Sequence, residues 1–319
     1  MYILRYILKK KGFRSEEIDI FLSSWKSSTI KSYNVYILKY IEFCLAKDYD
    51  ILERSTNRLI KFLNYLFKEG CSYSAINIAR SALSCIFFDP PIGDHKLVCR
   101  FLKGIFNLRP SRPKYSKVWN VKTVLIYLEG LTPSRDLDLK TLTFKTLMLI
   151  MLTSGQRAQT IHAINISNMD VSRNEVKICI YDILKHNKIN NMNNTISLQA
   201  YHQNRKICVV TYIREYLKRT KNLRKGDQLF ISYKSFKPVS KETLSSWIKN
   251  VLKSSGIDTS IYKAHSTRAA STSAAFQSVD ISTILKAASW SNARTFGTFY
   301  NKPIEKESFS KAVLEKRKH

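Results

Sequence analysis

Acidic side chains are scarce in this chain of 319 residues: 24 Asp and Glu stand against 53 Lys and Arg, a formal net charge of +29. A compact protein holds that much self-repulsion where a polyanion relieves it, so nucleic acid is the first partner to consider. Glycine and proline are few, at 9 and 7, and 44% of the residues are apolar. That balance excludes a low-complexity or disordered chain and fits a folded globular one. Long apolar runs are missing too. The longest, Leu147 to Leu152, is far too short to span a bilayer, and Met1 to Lys11 is broken by Arg5, Lys9 and Lys10, so no signal-peptide core is expected there. The six cysteines (Cys44, Cys71, Cys85, Cys99, Cys179 and Cys208) form no C-x-x-C pair and make no zinc pattern with the six histidines. They read as reduced, buried thiols. The expectation is a soluble, intracellular protein without membrane association, nuclear in a eukaryotic host and otherwise in the cytoplasm or nucleoid.

The basic residues are spread along the chain, at Lys9 to Lys11, Arg109 to Lys117, Lys218 to Lys225 and Lys316 to Lys318. This suits a protein wrapped around nucleic acid better than one with a single basic arm; solvated basic faces are the plain alternative. The length accommodates two cores. Apolar residues at helical spacing predict helices over Thr29–Ala46, Ser55–Lys68, Ser72–Phe87 (stopped by Asp89-Pro90-Pro91) and about His95–Asn107. Residues 109–118 then break the pattern with two prolines, two serines and four basic residues, a basic linker that either only connects or also lies along a DNA backbone. Beyond it, helices are expected over Val121–Leu131, Leu139–Leu152, Gln156–Asn165, Lys206–Thr220, Ser240–Ser254, Ala264–Gln277 and Ile281–Ser289. Alternation of Val176, Ile178 and Ile180 predicts a strand over Glu175–Leu184, returning as Thr195–Leu198 after an Asn-rich turn. The division is therefore a helical module over 1–108, a linker over 109–118 and a mixed domain with a C-terminal tail over 119–319.

Within the mixed domain, Ala264-His265-Ser266-Thr267-Arg268 puts a histidine and an arginine three residues apart on one helical face. Trp290 and Tyr300 follow, and Arg157 stands upstream after Thr153-Ser154-Gly155-Gln156. Lys185 sits at the tip of the expected hairpin, with Lys188 close by as a competitor. Cations, a proton-transfer group and a phenol in so basic a protein point to chemistry on a phosphodiester.

In this order the residues resemble the tyrosine recombinase family, also called phage-type integrases, and the string from Ala264 to Ser271 is most similar to the eukaryotic mobile-element branch. The resemblance covers most of the chain. It implies a mainly α fold with a small antiparallel β-sheet (α+β), in which a helical core-binding domain and a catalytic domain form a C-shaped clamp on double-stranded DNA. It also implies a homo-oligomer, a dimer on one site and a tetramer in synapsis, with no metal or other cofactor. Tyr300 would attack the scissile phosphorus, leaving a 3′-phosphotyrosyl link and a free 5′-hydroxyl. Arg157 and Arg268 would clamp the non-bridging oxygens with planar, permanently charged forks. Lys185 would protonate the leaving oxygen, and His265 would take the phenolic proton or orient the phosphate. Trp290 stands where many relatives carry a second histidine and keeps an N–H donor there. Two departures from the family pattern are visible: Thr160 replaces an acidic residue, and Trp290 to Tyr300 is one residue longer than the commonest spacing. The tail from Ile304 to Lys318 is expected to form a short amphipathic helix, docked on a neighbouring subunit or packed in cis. Two other readings remain: a catalytically reduced DNA-binding protein of viral or domesticated origin, and a type IB topoisomerase-like enzyme.

Overall fold

The computed structural model describes residues 2–110, 115–181, 194–290 and 292–304. The chain divides into two compact units, Met1–Pro113 and Lys114–His319.

Among the described residues, six α-helices make the first unit: α1 (Tyr2–Lys10), α2 (Ser15–Ser23), α3 (Ser27–Leu45), α4 (Thr56–Lys68), α5 (Tyr73–Ser84) and α6 (Lys96–Leu108). The starts of α4 and α5 are set by Ser55 and Ser72, whose hydroxyls accept from the backbone N–H groups of Arg58 and Ala75. The buried stripes of α3 to α6 meet in one core built on Tyr40, Phe62, Leu63, Leu66, Leu83 and Val98. The four helices expected here are present within a few residues of their predicted bounds. Helices α1 and α2 were not expected. Each is nine residues long and buries only two side chains, Leu4 with Leu8 and Ile18 with Leu22, too little for a periodic signal. Arg109, read from sequence as the first residue of the linker, serves the first unit. Its guanidinium donates to the carbonyls of Cys71 (2.7 Å) and Phe67 (3.2 Å) and stacks 4.1 Å over the Phe67 ring, tying the end of α6 to the turn that follows α4.

The second unit is built around α8 (Leu139–Ser154), whose residues Leu147 to Met151 are all buried, preceded by α7 (Val121–Gly130) and followed by the short α9 (Ala158–His162). A three-stranded antiparallel sheet in the order β1-β2-β3 follows: β1 (Met169–Val171), β2 (Glu175–Ile180) and β3 (Asn194–Gln199). Val176 pairs with Leu198 and Ile178 with Ile196, so alternate side chains of β2 and β3 enter the core. Then come α10 (Val209–Thr220), α11 (Lys241–Ser254), α12 (Ser266–Ala275), α13 (Ile281–Ala287) and α14 (Ala293–Phe299). The fold is mainly α with a small antiparallel sheet, as expected.

Three details differ from the sequence reading. The helix expected over Gln156–Asn165 shrinks to α9, because Gln156 and Arg157 belong to the turn before it. β1 and α14 are additional, each too short to show a period. Only Cys44 and Cys208 of the six free cysteines are buried, and Cys99 is exposed, so the expectation of six buried thiols is corrected. Part of the linker, the segment with Lys185, Lys188 and the Asn-rich turn, and the expected C-terminal helix lie outside the described residues. No helix among the described residues is long and apolar enough to cross a membrane.

Candidate active site

The site starts at the turn that ends α8. Gly155 caps that helix in the left-handed region, with φ +59°, a conformation costly for any residue with a Cβ. An added Cβ would also come within 3.1 Å of Thr272 Cγ2 on α12, so the turn packs directly on that helix. Buried Gln156 comes next. Its amide nitrogen donates to the Ala287 carbonyl (2.7 Å) and to Ser289 Oγ (3.1 Å), pinning the end of α13 just ahead of Trp290. Arg157 is the N-cap residue of α9, with extended backbone and a half-buried side chain.

Helix α12 is almost entirely Ser, Thr and Ala, and such small side chains let its backbone approach α8 closely. Its hydroxyls are mostly satisfied at home or nearby: Thr272 Oγ1 donates to the Arg268 carbonyl (2.8 Å), and Ser266 Oγ accepts from the indole N–H of Trp119 (2.9 Å). Arg268 is the one large residue and is wholly buried. Its Nη2 donates to the Ala288 carbonyl (2.7 Å), and its guanidinium lies 4.3 Å from the Trp290 ring and 5.4 Å from the Tyr300 ring. Its Nε and Nη1, like the Trp290 indole nitrogen, are buried without a hydrogen-bond partner among the described residues. Burial, and then the like charge of Arg157, pull the Arg268 guanidinium below its ordinary value. A guanidinium starts so high that Arg268 still carries its charge at neutral pH. Two cations drawn together, with orphaned donors beside them, leave a place whose electrostatics ask for an anion.

Tyr300 closes the group. Helix α14, capped by the Asn292 side chain on the Thr295 N–H (3.0 Å), carries the chain from Trp290 to Tyr300. The phenolic oxygen of Tyr300 lies 3.3 Å from His265 Nε2, and its ring packs 4.6 Å from that of Trp290. The backbone behind it is tied down: Ser273 Oγ donates to the Tyr300 carbonyl (2.7 Å), Lys302 Nζ donates to the Tyr115 carbonyl (2.9 Å), and Val118 N–H donates to the Pro303 carbonyl (2.9 Å). Five of the six residues singled out by sequence, Arg157, His265, Arg268, Trp290 and Tyr300, thus gather in one place; Lys185 lies outside the described residues. Sequence reading missed Trp119, Gln156, Ser266 and Ser273, for which no local pattern exists. Among the described residues no group of three or more His, Cys, Asp or Glu is arranged to hold a metal. The assembly pairs a phenol with an imidazole beside two cations, a set suited to transesterification at a phosphate.

Comparison with known proteins bears on the fold and the family. The chain resembles the XerH site-specific recombinase bound to a palindromic difH substrate in a post-cleavage complex (TM-score 0.61, 16% identity, covering 85% of this chain and 76% of that one). It is also similar to the Tn1549 transposon integrase in complex with transposon right end DNA (0.59, 14%, 98% and 97%) and to a lambda integrase dimer bound to a COC′ core site (0.56, 16%, 92% and 79%). At these identities the likeness speaks for the fold alone. No curated protein gives a significant match. The model of the phage integrase family matches residues 132–307, more than half of the chain. The chain belongs to the phage integrase family, the tyrosine recombinases of site-specific DNA recombination.

Proposed function

We propose that this chain cleaves and rejoins double-stranded DNA through a 3′-phosphotyrosyl link on Tyr300, with no metal or nucleotide cofactor. One observation carries the reading: the Tyr300 phenol stands 3.3 Å from His265 Nε2, beside a buried arginine with two orphaned donors and a second arginine close enough to weaken its hold on a proton. In the forward step the Tyr300 oxygen bonds to phosphorus, its proton passes to His265, and the 5′ oxygen leaves with a proton from Lys185 or Lys188. Arg157, Arg268 and the Trp290 N–H receive the charge that builds on the non-bridging oxygens. The Trp290 and Tyr300 rings cover the Arg268 guanidinium, so a phosphate reaches it as the Tyr300 ring turns aside and the phenol swings towards phosphorus. Rejoining is the reverse, with a 5′-hydroxyl from the same or another duplex as nucleophile.

A dimer on one site and a tetramer in synapsis belong to the same proposal, supported by the family and by the charge. The string Ala264 to Ser271 supports a place in the eukaryotic mobile-element branch.

The test uses nicked suicide duplexes drawn from the DNA that flanks the chain's own coding sequence. Wild type is expected to form an SDS-stable, protease-sensitive adduct; Tyr300→Phe is expected to form none while binding the same DNA within about twofold, since only one hydroxyl is removed. An adduct persisting in Tyr300→Phe overturns the choice of nucleophile, and no adduct in wild type overturns the activity. Plasmid relaxation without exchange between duplexes would point to a topoisomerase-like enzyme instead.

A further inference from the structure

We propose that Ser273 is a positioning residue for this reaction: it fixes the backbone on which Tyr300 turns, and it touches neither DNA nor the reacting atoms. The inference rests on the recombinase reading above. A serine inside a helix ordinarily returns its hydroxyl to a carbonyl of its own preceding turn, as Ser271 and Thr272 do on the carbonyl of Arg268. Ser273, on the same helix, does not. Its hydroxyl reaches 27 positions along the chain, donating to the Tyr300 carbonyl at 2.7 Å and accepting from the Lys302 N–H at 3.1 Å. One oxygen thereby clasps the backbone on both sides of Asn301. At 5% exposure, the side chain leaves little room for water to replace either bond.

The clasp answers a local need. Helix α14 has only seven residues, too few to hold its own end rigidly, and Tyr300 is its C-cap. The N–H groups of Tyr300 and Asn301 both donate to the one carbonyl of Phe296 (2.9 and 2.8 Å), which ties the tyrosine only to its own short helix, and the bonds of Lys302 to Tyr115 and of Val118 to Pro303 act beyond it. Ser273 acts at it. Helix α12 also carries His265 at its N-cap and Arg268 in its first turn, so one rigid element sets the proton acceptor, the phosphate clamp and the backbone of the nucleophile. A side chain that must swing from the arginine face to phosphorus needs a fixed pivot. A misplacement of about 1 Å costs on the order of 100-fold in rate.

The experiment compares Ser273→Ala with Ser271→Ala, whose hydroxyl bonds only within α12, in the full chain. Three quantities are measured: single-turnover formation of the Tyr300 adduct, affinity for the same DNA, and hydrogen exchange of the Lys302 amide in free protein. Ser273→Ala is expected to cleave about 30- to 100-fold more slowly, to bind DNA within about twofold of wild type, and to exchange the Lys302 amide at least about tenfold faster. Ser271→Ala is expected to match wild type in all three. Cleavage by Ser273→Ala within about threefold of wild type overturns the proposal. So does a loss of DNA affinity in step with the rate, a loss of equal size in Ser271→Ala, or an unchanged Lys302 exchange rate. A wild type that forms no adduct sinks the recombinase reading itself, an outcome distinct from normal adducts in both wild type and Ser273→Ala.

Discussion

Arg268 is held at a cost that an anion relieves. Its Nε and Nη1 have no partner among the described residues, and Arg157 adds a like charge. A ligand that binds only the folded state stabilises it by mass action. Inorganic phosphate or sulfate is therefore expected to stabilise wild type by about 1 kcal/mol at a few times its dissociation constant, lifting the melting midpoint by about 2–4 °C. Arg157→Met, which removes one half of the clamp, should lose most of that increment and cleave suicide DNA about 100- to 1,000-fold more slowly. Thermal melts with and without phosphate check the first part, and equal increments in both proteins would refute it. At this scale the sequence was informative where residues of distinct chemistry follow one another in a fixed order. Arg, His, Trp and Tyr in a fixed order stand out in a chain. Gln156 and Ser273 do not, because Gln and Ser are ordinary surface residues, and their partners lie 131 and 27 positions away.

The pairing of α8 with α10 contains a buried cation of another kind. Lys145 is fully buried, and its Nζ donates to the Leu131 carbonyl (2.7 Å) and the Tyr212 hydroxyl (2.7 Å). Burial pushes its pKa down to about 8, against the ordinary value of 10.5, with the charge of Glu129 opposing the shift. Below about pH 8 both folded and unfolded chains hold the proton, and the cost of the buried charge is fully present. Between about 8 and 10.5 the unfolded chain binds more protons, so this group makes stability rise with pH across that window. Urea unfolding at pH 8 and pH 10 should show wild type gaining stability relative to Lys145→Met; parallel behaviour of the two would exclude it. Elements with several buried positions were the most legible. The helices α4, α5, α6, α8, α10 and α11 and the β2–β3 pair carry several buried positions each, enough for a period to show. Elements α1, α2, β1 and α14 are short and bury few side chains, and they were not expected.

Over the whole molecule, a charge of +29 distributed through both units outweighs any single contact in setting affinity for DNA. Each phosphate neutralised releases condensed counterions, so the binding constant should fall about 1,000-fold or more between 50 and 200 mM salt. Fluorescence anisotropy on a fixed duplex measures this. A fall below about tenfold would mean that few phosphates are touched and that the basic faces are merely solvated.

By itself the sequence determined the class of the chain: a mainly helical protein, strongly basic, that carries in order the residues proposed above to act on a phosphodiester. Charge, hydrophobic period and the order of residue types are local or summed properties, and they survive being read along a line. Tertiary structure alone decided how those residues meet. The left-handed turn at Gly155 sets Arg157 beside α12, the Gln156 amide locks the approach to Trp290, and Ser273 clasps the backbone at Tyr300. These are contacts between positions far apart in the chain, made by side chains that have no distinguishing pattern until the fold brings them together.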